Sequence, residues 1–175
     1  MNELLKNIIR YFAFLGIQVF VLFQVRPLHQ FIVPYVYYVF ILWLPFSVPR
    51  ISLTLLGFWL GLSLDYFTHT PGLHAAACTL IAYVRPWLIE MLIFREGDEK
   101  NYLEPSTVSM GWAPYTTYVI VLTLLHHILL IFLEWIQFGS FSNWSFRLIL
   151  FQQFLPLGLQ LSLLCVGFTF LFRTV

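Results

Sequence analysis

Charge is scarce in this chain: Asp, Glu, Lys and Arg together make up 10% of it, against roughly 25% in a soluble domain. That excludes an ordinary water-facing surface. The nine basic residues are scattered and the formal net charge is +1, which excludes the clustered basic patch of a nucleic-acid binder. Cysteine is limited to two residues. Cys78 and Cys165 fall in different apolar runs and near opposite faces of a chain that runs back and forth, so no disulfide is expected. Recognisable catalytic patterns are missing too: there is no glycine-rich phosphate loop, no nucleophile-elbow serine and no HExxH zinc motif. Strict polar/apolar alternation is also absent, which removes a membrane β-barrel.

What the chain has is apolar length. Hydrophobic residues make up 60% of it and the mean hydropathy is +0.84. This composition predicts an all-α, polytopic integral membrane protein, a single domain over residues 1–175 with about six transmembrane helices in one bundle. The apolar runs cover residues 8–25, 31–46, 51–67, 73–94, 112–136 and 148–172. The second is short for a bilayer, which wants about 20 helical residues. Pro86 is expected to end or kink the fourth, leaving residues 87–94 at the membrane interface.

Lys6 and Arg10 precede the first run like the charged start of a signal sequence. Residues 20–24 offer no small-residue cleavage site, so a retained first span is expected. Residues 95–111 read as a cytoplasmic hydrophilic loop that carries Glu96, Asp98, Glu99 and Glu104. With the N-terminus in the cytoplasm, Lys6, Arg10, Arg50, Arg85, Arg95, Lys100 and Arg173 fall inside and only Arg26 and Arg147 outside, as the positive-inside rule favours. Both termini then face the cytoplasm.

The most specific stretch is residues 57–77. Gly57, Gly61 and Asp65 recur every four residues, so one helix face carries two gaps for close backbone approach and then a carboxylate. Thr68, His69 and Thr70 lead into Pro71-Gly72, which presets a turn. The next helix carries Ala75, Cys78, Thr79 and Ala82 at helical spacing, small residues expected to face the two glycines in a tight hairpin. Asp65 is costly beside lipid and at the C-terminal end of a helix. Its expected partners are the free N–H groups of Leu73 and His74 at the next helix start. The competing reading is a contact with a ligand or a partner protein.

Other intramembrane polar groups are few. Thr116, Thr123, His127 and Glu134 share a narrow sector of the fifth run. His127 and Glu134 are about two helical turns apart, roughly 10 Å, too far to share one metal ion without other ligands. Neither cysteine supplies them, and His126 and His127 point about 100° apart. No metal site, cofactor site or catalytic residue is therefore assigned. Interhelical hydrogen bonding is the expected use of His127 and Glu134, and of Gln153 and Gln160 on the last run.

Gly-Leu-Ser-Leu-Asp at 61–65, the Thr/His turn and then Pro-Gly-Leu-His-Ala at 71–75 resemble the signature of the rod shape-determining MreD family. That signature is a glycine-led helix ending in Asp, a short turn, and Gly-Leu before a small-residue helix. The His126-His127 pair and Phe132-Leu133-Glu134 are similar to a divergent branch of that family. Carry-over applies to Gly61, Asp65, Gly72 and Leu73. His69 stands where the family usually has a smaller residue.

The resemblance implies a multi-pass protein of the bacterial inner membrane without enzymatic activity. Such a protein serves as a scaffold in cell elongation and peptidoglycan synthesis. The implied partners are the single-span protein MreC and, through it, MreB, RodA and a penicillin-binding transpeptidase. It also implies a fold similar to the substrate-binding subunits of energy-coupling-factor transporters. The alternative function is accordingly a small-molecule, vitamin-like binding subunit of a membrane transporter.

Overall fold

A computed structural model describes residues 3–23, 35–93 and 104–138. They fold into α1 (Glu3–Gly16), which continues through a wider π-helical stretch (Ile17–Leu22), then α2 (Val39–Trp43), α3 (Arg50–Thr68), α4 (Leu73–Leu92), α5 (Thr107–Met110) and α6 (Trp112–Phe138). Among the described residues every regular element is helical. Among the described residues four segments are long and apolar enough to cross a membrane: Leu5–Leu22, Arg50–Thr68, Leu73–Leu92 and Trp112–Gln137. The expected sixth run, with Gln153 and Gln160, lies outside the described residues.

The α3–α4 hairpin is the spine. Helix α6 packs along α4, and α1 reaches α2 and α3. Leu53, Leu60 and Leu64 of α3 meet Cys78, Ile81 and Ala82 of α4 in one core with Tyr118 and Leu122 of α6. The outward faces are equally apolar. Phe12 and Phe20 of α1, Ile51 and Trp59 of α3, and Trp87 and Met91 of α4 are all exposed, Ile51 to 78%. Apolar surface on this scale suits lipid or another protein rather than water.

Two expectations about helix lengths are corrected. The second apolar run does not form a span within residues 35–46, because its helix is the five-residue α2, entered through a turn at Tyr37-Tyr38 and left in an extended conformation at Leu44, just before Pro45. Pro86, in turn, does not end the fourth helix. Helix α4 runs through it to Leu92, so residues 87–92 continue that helix rather than form a separate interfacial piece. The proline removes one N–H donor from the ladder, a loss that packing on both sides of α4 tolerates.

A short helix inside an apolar bundle must have its ends satisfied by neighbours. Gln18, fully buried on the π-helical stretch of α1, accepts at its side-chain oxygen from the Val36 N–H at 2.8 Å and the Tyr37 N–H at 3.4 Å. At the other end the Tyr118 hydroxyl donates to the Leu42 carbonyl at 3.0 Å. Arg85 donates to the Leu44 carbonyl and, through Nε, to the Tyr118 oxygen at 2.8 Å. Arg85 is 2% exposed, a buried cap for α2. Three helices thus hold a fourth that could not stand alone.

The hydrophilic segment is tied back to α1. Lys6 Nζ lies 2.9 Å from Glu104 Oε1, and the Arg10 guanidinium donates to both carboxylate oxygens at 2.6 and 3.1 Å. Partial burial alone raises the pKa of Glu104. The hydrogen bonds and charges of Arg10 and Lys6 outweigh it and hold the carboxyl below its ordinary range. Just beyond, Ser106 and Ser109 cap each other around the start of α5.

Candidate functional site

The candidate site is the turn of the α3–α4 hairpin and the ring cluster directly beneath it. Helix α3 stops because His69 takes a left-handed conformation (φ 57°, ψ 33°), with its N–H bonded to the Asp65 carbonyl. Gly72 follows with φ 84°, and α4 begins at Leu73. Asp65 closes this turn. Its Oδ1 accepts from the His74 N–H and its Oδ2 from the Ala75 N–H, both at 2.9 Å, while the Thr70 hydroxyl donates to Oδ1 at 3.2 Å. The sequence-level expectation of Leu73 and His74 is off by one position. The Leu73 N–H instead donates to the Thr70 carbonyl at 3.3 Å.

The glycine face lies against α4 as the spacing requires. A Cβ on Gly57 would come within 2.8 Å of the Ala82 Cβ and the Cys78 carbonyl oxygen, and one on Gly61 would overlap the Ala75 backbone and the His74 carbonyl. The two helices therefore touch backbone to backbone at Gly61. Ala75, Cys78 and Ala82 face that contact. Thr79 does not: its hydroxyl donates to the Ala75 carbonyl of its own helix, and it sits on the rim, lining an outer groove with Thr54 and Phe58.

Beneath the turn, the His74 side chain enters a cluster of rings. The Tyr37 hydroxyl lies 2.8 Å from His74 Nδ1 and 2.9 Å from His126 Nε2, so it bridges α4 and α6. Tyr38 donates to the Thr123 hydroxyl at 3.3 Å, and its ring stacks on His126 with centroids 4.5 Å apart. His127 donates through Nδ1 to the Thr123 carbonyl at 2.9 Å. Asp65 therefore fixes the start of α4 and, with it, His74. Through Tyr37 that position is coupled to α2 and α6.

Of the residues expected to be functional, Asp65, Leu73 and His74 are buried at this junction, and His69, Pro71 and Gly72 are exposed on the turn above it. Leu62, Asp65, Tyr66, Phe67, His69 and Pro71 line an open outer groove of about 780 Å³. His127 is in the ring cluster, while Glu134 is half-buried two turns further along α6. Among the described residues no group of three or more His, Cys, Asp or Glu comes together as a metal site.

Gln18, Tyr37, Tyr38, His126 and Arg85 are polar members of the core that sequence reasoning did not place there. The signal available was an isolated amide and an isolated cation in the middle of apolar runs. A polar side chain at such a position must find a partner within the bundle.

Among the described residues the fold and site define an all-helical protein with four helices long and apolar enough to cross a membrane and a polar junction buried between three of its elements. Set against known proteins, the chain matches no family model, no curated protein and no solved structure.

Proposed function

We propose that the chain is a multi-pass inner-membrane scaffold of the MreD type, with about six spans and both termini in the cytoplasm. In this role it holds the single-span protein MreC and, through it, MreB, RodA and a penicillin-binding transpeptidase at sites of cell-wall elongation. The observation that carries the reading is the hairpin turn. The Gly-Leu-Ser-Leu-Asp and Pro-Gly-Leu-His-Ala segments make one unit in which Asp65 is spent on the α4 N-terminus rather than left free for chemistry. The surface this leaves outside is an open groove with exposed Tyr66, Phe67, His69 and Pro71, shaped for contact more than for enclosure of a small molecule.

The test is affinity purification of the chain, tagged at its C-terminus, from its native membrane in mild detergent, followed by mass spectrometry of the co-purifying proteins. Recovery of MreC together with a penicillin-binding protein supports the scaffold. Recovery of paired ATPases and a coupling membrane subunit would overturn it in favour of a vitamin-like transporter subunit.

A further inference from the structure

Two ring nitrogens in the core have no hydrogen-bond partner among the described residues: His126 Nδ1 and His127 Nε2. The side chains that carry them are 0% and 1% exposed. The state of His127 follows from geometry. Its Nδ1 faces the Thr123 carbonyl, which can only accept, so Nδ1 carries the proton and Nε2 presents a bare lone pair.

His126 has two arrangements, because Tyr37 has one hydroxyl proton to share between two imidazoles. When that proton goes to His74, His126 donates through Nε2 and its Nδ1 is a second lone pair. When it goes to His126, Nδ1 carries a hydrogen that nothing accepts. Either way His127 carries a fixed acceptor and His126 a nitrogen that is acceptor or donor. Both cost stability while unpaired in an apolar core.

We propose that His127 Nε2 receives a hydrogen bond from a hydroxyl group that the described residues do not supply. The chemistry selects the ligand. A hydroxyl donates to His127 Nε2 in every case; for His126 an alcohol, its one proton already given, can only accept from a protonated Nδ1, whereas water has a second proton for a bare one. An ammonium cannot accept, and a carboxylate cannot donate. The walls also suit a small polar guest: the Tyr38 ring stands edge-on to His127 with centroids 5.7 Å apart, and Tyr35 lies 6.3 Å from His127 and 5.4 Å from His74. The hydroxyl belongs either to a water molecule or to an alcohol carried by lipid or protein.

Nitrogen NMR on the full-length chain in lipid nanodiscs tests this, with 15N-labelled histidine and the five histidines assigned by single His→Gln variants. The expected result is an unprotonated His127 nitrogen shifted upfield of the bare-imidazole position, the signature of an accepted hydrogen bond. Magnetisation transfer from water protons then identifies water as the source, and the same shift without that transfer identifies an alcohol. A His127 nitrogen at the bare-imidazole position overturns the proposal. The decisive spectrum is that of the unmodified chain, so it does not depend on whether any variant folds.

Discussion

Replacing Asp65 by Ala removes the acceptor for two backbone N–H groups at the start of α4, on His74 and Ala75. Neither donor has water to turn to, since Asp65, His74 and Ala75 are 4%, 2% and 3% exposed. A hydrogen bond to a charged group contributes about 1.5–3 kcal/mol and an orphaned buried donor costs about 1–3 kcal/mol. Two such bonds therefore set a gross loss of about 3–6 kcal/mol. Part of this is returned, because the variant no longer buries a carboxylate or holds one at the C-terminal end of α3. The net expectation is a destabilisation of about 2–4 kcal/mol, above the usual cost of about 1 kcal/mol for losing a helix N-cap.

Thermal unfolding of the purified protein in detergent, scored beside recovery of MreC, checks the number and its meaning. Asp65→Asn should fall between wild type and Asp65→Ala, because the amide oxygen still accepts one N–H while its NH2 group meets the other donor. If Asp65 acts as a staple, stability and partner recovery fall together across the three proteins. A variant as stable as wild type that still loses MreC would refute the staple and return Asp65 to direct partner contact.

Gly61→Ala should be more damaging than Gly57→Ala, since its new Cβ meets backbone that cannot step aside while that of Gly57 meets in part the Ala82 methyl; overpacking costs of about 1–3 kcal/mol set the scale, and equal melting temperatures for the two would contradict it. His69→Gly should stabilise the fold by about 0.5–1 kcal/mol, because φ 57° is strained for a side-chain-bearing residue and free for glycine; a lower melting temperature would mean that the exposed imidazole makes a stabilising contact. Glu104 has a folded pKa below its ordinary value, so its contribution is complete above the ordinary carboxylate range and is lost as pH falls through the folded pKa. The acid limb of the stability profile should therefore flatten in Glu104→Gln, and an unchanged limb would count against the Lys6–Arg10–Glu104 tie. Arg85→Lys should be less stable than wild type although the charge is kept, since a single ammonium cannot reproduce the guanidinium geometry that serves Tyr118 and the Leu44 carbonyl together; equal stability would mean that α2 does not need this cap.

The hairpin was legible because its information is local. Gly57, Gly61 and Asp65 are four residues apart, their partners lie within about 25 positions, and the Pro71-Gly72 turn brings the two rows together. Even the error at Asp65 was one residue, the difference between naming the first two free N–H groups of α4 and finding that the turn had already claimed the first. Helix α2 was illegible for the opposite reason. Its sequence is apolar throughout, and hydropathy assigns such a run to a span. Pro45 marks where the helix stops, but the groups that satisfy the ends of so short a helix are held elsewhere: Gln18 sits 18 positions before Val36, Arg85 41 positions after Leu44, and Tyr118 76 positions after Leu42.

No window along the chain contains those pairs, so no periodicity could reveal them. The polar residues did carry a usable rule. In an apolar run an unpaired amide or cation is too costly to stand alone, so Gln18 and Arg85 each called for a buried acceptor or donor in another element. Applied consistently, the same rule covers His126 and His127, each of which keeps one buried ring nitrogen with no partner among the described residues. The burial cost that ties Arg85 to α2 is the cost that calls for a hydrogen-bond donor at His127.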